Sequence, residues 1–107
     1  MLYKFKSKAA GDLIMLEPHG RHVLQIIGKD PGPTGIIQPP EMAAAVRALE
    51  QAVAEEEARQ QAALEEARAK GEPAPKFEAI GLRQRAHPFI EMLHRCEKAQ
   101  REIVWGV

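Results

Sequence analysis

The residues best suited to chemistry in this chain are four histidines arranged as two pairs. His19 and His22 lie three apart, with Glu17 just ahead of them, and His87, Glu91 and His94 follow one another at spacings of four and three. On a helix such spacings put side chains on one face. Imidazole with carboxylate is a donor set for zinc or iron, which need three or more ligands converging at about 2 Å. Either pair alone is half a site. A metal centre built from His19, His22, His87, Glu91 and His94 therefore requires the two pairs to meet in the fold. Against it stands a plain surface reading: the His87 face also carries Lys98 and lies opposite an apolar stripe, as a solvated face does.

Other reactive groups lead nowhere firm. Cys96 shares its stripe with Phe89 and Leu93, while His94 is two residues away and points elsewhere. A nucleophilic cysteine needs a base and an electropositive, partly open setting. A buried small hydrophobe is the better reading. The loop Gly28-Lys29-Asp30-Pro31-Gly32-Pro33-Thr34-Gly35 looks like a phosphate cradle but carries two prolines, which remove two of the N–H groups a cradle uses. Arg83, Arg85, Arg95, Lys98 and Arg101, with Lys4, Lys6 and Lys8, form a basic set that RNA or a phosphorylated ligand would use. The charge balance opposes that. Fifteen Lys/Arg match fifteen Asp/Glu in 107 residues, which argues against a dedicated nucleic-acid binder or a polybasic membrane docker. No paired acid and base marks an enzyme, and nothing implies a cofactor.

Three prolines announce the elements that must position these residues. Pro18, Pro40 and Pro88 each head an apolar pattern of helical spacing, the position proline favours. The first helix runs Pro18 to Gly28, with Val23, Leu24, Ile26 and Ile27 inward. The second runs from about Pro40 to Lys70 and stops at Gly71. Its seam of Met42, Val46, Leu49 and Val53 is spaced four, three and four, like a coiled coil. From Glu55 onward that seam thins, so intrinsic propensity holds the rest and it projects from the body. The third runs from Pro88 to about Gln100, with Leu82 to His87 a preceding turn bent at the proline.

Leu2 to Lys8 alternates apolar and lysine residues, and Ile103 to Val107 is β-rich. A terminal strand of this kind must be paired, so the two chain ends are expected side by side in one small sheet. Gly35-Ile36-Ile37 adds a short strand, and Asp12 to Leu16 fits helix or strand. The expected fold is α+β: three helices, one long and partly projecting, on a small sheet that pairs the N- and C-terminal strands. Residues 1–107 read as one domain, with a flexible Pro/Gly linker at 71–81. A single cysteine, no signal-like N-terminus and no long apolar run point to a cytoplasmic protein without a membrane anchor.

Leu2-Tyr3-Lys4-Phe5-Lys6-Ser7, the run from Glu17-Pro18 to Asp30-Pro31-Gly32-Pro33, Leu82-Arg83-Gln84-Arg85-Ala86, Pro88-Phe89-Ile90-Glu91-Met92-Leu93 and the ending Ile103-Val104-Trp105-Gly106-Val107 resemble a family of small proteobacterial proteins, the domain of unknown function family 1840. The resemblance spans essentially the whole chain and is least specific in the Ala/Glu-rich middle. It implies no activity, carries over no functional residue and does not rest on the histidines. The leading expectation is an interaction or assembly protein, a homo-oligomer or binder of a protein partner, using the Leu2–Lys8 edge or the Met42–Val53 seam. The alternative is a small metal-dependent protein or enzyme using the histidine pairs.

Overall fold

Alternation at the N-terminus does what period-two patterning dictates. A computed structural model describes residues 2–106, and Val107, the last residue of the expected C-terminal strand, lies outside them. The chain forms β1 (Leu2–Ser7), β2 (Ala10–Leu16), α1 (Glu17–Ile26), β3 (Gly35–Ile37), α2 (Pro39–Lys70), α3 (Leu82–Ala99) and β4 (Ile103–Trp105). The strands build one antiparallel sheet in the order β2-β1-β4-β3. Phe5 sits opposite Trp105 and Lys6 opposite Val104, so the two chain ends do pair. The ambiguous apolar run after Asp12 is strand: Leu2 faces Leu16 and Phe5 faces Leu13.

The three helices cover one face of this sheet. Tyr3, Phe5, Met15, Ile37, Ile103 and Trp105 point into that layer and are buried. Phe5 is its centre, with ring centroids 4.8 Å from Phe89, 6.0 Å from Trp105 and 6.1 Å from Tyr3. Such pairs add about 0.5–1.5 kcal/mol each beyond the area they bury. Trp105 lies across Gly35 on the neighbouring strand, where any Cβ would collide with the indole ring. Polar tips of the aromatic layer are satisfied by one loop: Tyr3 Oη donates to the Pro31 carbonyl at 2.7 Å and Trp105 Nε1 to that of Gly32 at 3.1 Å. The Pro-Gly-Pro loop thus turns carbonyls inward to the core and acts as a connector, not a phosphate cradle.

α2 begins with Pro39 and Pro40 in its first two positions, one residue earlier than Pro40 alone predicts. Glu41 closes that end, its Oε1 accepting the Gln38 N–H at 2.8 Å and its Oε2 pairing with Lys29 at 2.6 Å. Gly71 ends the helix in the left-handed region, φ 68°. Met42, Val46, Leu49 and Val53 are buried, and no residue of α2 beyond Val53 is. At 1.5 Å per residue a helix this long reaches about 48 Å, which sets the 52 Å long axis of the molecule. Its outer half is therefore held by propensity and by pairs such as Lys70–Glu66, as the thinning seam predicts.

Three expectations are corrected here. The Met42–Val53 seam is filled by this chain's own core, and β1 is not an outer strand, since it lies between β2 and β4, the latter pairing it at Phe5 and Lys6. The seam is occupied, and the outer strands of the sheet are β2 and β3. Pro88 does not head a helix either. It lies inside one continuous helix that starts at Leu82. Proline there leaves the Gln84 carbonyl without its helical N–H, a loss of about 3 kcal/mol in a helix interior. The loss falls on an exposed turn, Gln84 and Pro88 both being exposed, while burial of Leu82, Ala86 and Phe89 contributes about 1.5–3 kcal/mol per large side chain. Packing outweighs the local rule.

Candidate functional site

The apolar stripe of α3 (Ala86, Phe89, Leu93, Cys96) faces the core, which turns His87, Glu91 and His94 to solvent. They line an open cleft of about 320 Å³ with Glu50 and Val53 of α2. Within it His87 Nε2 lies 4.0 Å from Glu91 Oε1, an exposed pair. His19 and His22 start a different helix and are half-buried there. His19 lines a separate groove between β2 and the head of α3. The fold does not bring the two pairs together. Among the described residues, no group of three or more His, Cys, Asp and Glu is placed to hold a metal. Cys96 is fully buried, as its stripe predicts.

The head of α3 holds the charge arrangement that sequence reasoning missed. Gly81 offers no capping side chain, and the first turn carries no acidic residue, although a helix start favours negative charge. The acids come from α2 instead. Glu56 Oε2 accepts the Leu82 N–H at 2.9 Å. Glu57 takes both prongs of Arg83, from Nε at 2.7 Å and from Nη2 at 2.8 Å. That fork holds the Glu57 carboxyl below the usual carboxylate range and lifts Arg83 further above its own.

Arg85, two residues on, is treated differently. Its side chain is only 14% exposed. Nη1 donates to His19 Nδ1 at 2.9 Å, Nη2 stands 3.9 Å from Glu78, and buried Nε has no acceptor among the described residues. A signal for this is present in the sequence. Arg85 lies three after Leu82 and four before Phe89, which places it on the inward stripe. Charge alone groups it instead with the other basic residues. Others of that set are neutralised within the fold, Lys4 by Asp12 at 3.6 Å and Arg83 by Glu57.

Beside these lies an uncovered surface. The outer face of the sheet carries Leu2, Ile14, Leu16 and Ile36, between 38% and 59% exposed, together with lysines 4 and 6. β2 is the longer of the two edge strands, seven residues without proline or lysine. β3, at the other edge, has three residues set between Pro33 and Pro39. Short strands and prolines are devices that protect an edge; β2 has neither, and its protection is confined to Asp12 and the irregular register beside it, leaving Leu13–Leu16 regular.

Fold and surface together define a two-layer α+β protein with one bare sheet face and one open edge. The chain matches the model of the domain of unknown function family DUF1840 over residues 1–105 and belongs to that family. No curated protein and no solved structure matches it. Among the described residues no helix is long and apolar enough to cross a membrane.

Proposed function

We propose that this is a small cytoplasmic interaction protein that assembles with a second copy through the β2 edge and the bare face beside it. The observation that carries the reading is the contrast between the two edges: β3 is short and flanked by prolines, whereas β2 is longer, has no proline and has no strand on its outer side. A free strand edge presents a row of unpaired N–H and C=O groups, and addition of another strand satisfies them. Antiparallel pairing of β2 with its own copy about Leu13 overlaps all of Ala10–Leu16 and needs no second kind of surface, the requirement of a two-fold interface. It joins the two bare faces, setting Ile14 of each copy opposite Asp12 of the other and Leu16 opposite Ala10.

The test is the mass of untagged protein in solution, by native mass spectrometry and light scattering, for the natural chain and for Ile14→Asp/Leu16→Asp, which sets like charges across the pairing from Asp12. A natural dimer that becomes a folded monomer in the double variant supports the reading. A natural monomer at every concentration, or a dimer indifferent to both substitutions, refutes it. No observation favours the metal-dependent alternative, since His87, Glu91 and His94 line one cleft and His19 another.

A further inference from the structure

Arg83 and Arg85 differ in one respect that points to a ligand. Both have a guanidinium whose Nε and Nη2 form a fork suited to a carboxylate, which binds it through two parallel hydrogen bonds. On Arg83 the fork is filled by Glu57 at 2.7 and 2.8 Å. On Arg85 the other side of the group is fixed, Nη1 donating to His19 Nδ1, yet Nε lacks an acceptor among the described residues and Nη2 has only Glu78 at 3.9 Å, beyond hydrogen-bonding distance. A buried donor without a partner is costly, and in native proteins it calls for an explanation.

The surroundings specify the rest. Arg85 opens onto a groove of about 290 Å³ whose apolar walls are Leu13, Ile14 and Leu16 of β2, Ile80 and Pro88. The positive end of the α3 dipole adds to the attraction for an anion there. A concave apolar site with a few convergent polar groups is what small ligands occupy. The chain itself places a weak stand-in at this spot: Glu78 approaches the fork, and Ile80 lies in the groove. Both are exposed residues of a segment without regular structure.

We propose that this groove binds a small aliphatic carboxylate, its head on the Nε/Nη2 fork of Arg85, its chain along β2, with Glu78 as the group it displaces. The groove shares Leu13, Ile14 and Leu16 with the proposed β2 pairing, whereas Arg85 and Glu78 lie outside that pairing, so variants at these two test ligand binding while native mass tests assembly.

Sodium octanoate is the probe, titrated into the full chain while NMR follows the Arg85 Nε–H and the β2 amides. Saturable shifts of both are expected, with octanol and acetate binding at least about tenfold more weakly, the loss expected for an absent charged hydrogen bond or an absent apolar body. Arg85→Met, which keeps the apolar stem, should lose binding by at least about tenfold. Arg85→Lys, with charge but no fork, should fall in between, and Glu78→Gln should bind more tightly. Each variant is checked for a native-like spectrum, and the Arg85→Lys and Glu78→Gln arms decide the matter if the methionine variant fails to fold. No saturable shift, equal binding of octanol or acetate, or weaker binding in Glu78→Gln would overturn the proposal.

Discussion

The two faces of the sheet are made by the same strands and have opposite fates. On the covered face Tyr3, Phe5, Met15, Ile37, Ile103 and Trp105 are no more than 8% exposed and share one core with the helices. On the bare face Leu2, Ile14 and Leu16 are each more than half exposed, one residue along the same backbone. Stability is concentrated on the first face because burial is where apolar area gains free energy. Residues on the second leave much of their apolar area uncovered in the folded monomer, so that area calls for another reason. Contact with another molecule supplies one.

The largest effect expected from breaking this contrast is at Leu49, which a partner-facing seam would expose but which is fully buried. Leu49→Glu puts an unpaired carboxylate into the core and should abolish cooperative folding in circular dichroism, rather than merely dissociate copies. Phe5→Ala follows, with a loss of about 3–5 kcal/mol in denaturant unfolding, the range for a large buried aromatic. Gly35→Ala drives a methyl into the Trp105 ring and should cost about 1–3 kcal/mol, as overpacking does. On the bare face, Ile14→Lys and Leu16→Lys should each change monomer stability by no more than about 0.5 kcal/mol, with the same unfolding assay as the check. A large loss there would erase the contrast.

The smallest effect concerns pH. The Glu41 carboxyl is held below the usual carboxylate range, first by its hydrogen bond with Lys29 and next by the Gln38 N–H. A carboxyl with a lower pKa folded than unfolded adds stability above its unfolded value and loses it as pH falls through the folded one. Because Glu41 is substantially exposed, the gain is below about 1 kcal/mol. Thermal melts should show the natural chain and Glu41→Gln converging as pH drops through the carboxylate range and separating toward neutrality.

Much of this is legible in the residues. Alternating Tyr3 and Phe5 with lysines define β1, the β-rich C-terminus requires a partner strand, and Gly71 marks the end of α2. Leu13-Ile14-Met15-Leu16 resists reading because it has no alternation, and the fold shows why: β2 is apolar toward the core and toward the bare face alike. The very ambiguity of that run is the mark of the open surface. Pro88 misleads because a local preference is outweighed by burial of the turn before it. The groove at Arg85 is illegible for a different reason. It joins His19 to a residue 66 positions away, and only tertiary packing of β2 against α3 creates it.

Whether β2 is a working interface is tested most directly by hydrogen exchange of its amides across a dilution series, read beside the native mass. Pairing of β2 with a second copy predicts a dimer mass at high concentration and slow exchange on the outward-facing amides of Ala10–Leu16, both lost together on dilution. Fast exchange of those amides at every concentration, with β1 amides protected throughout, would contradict it.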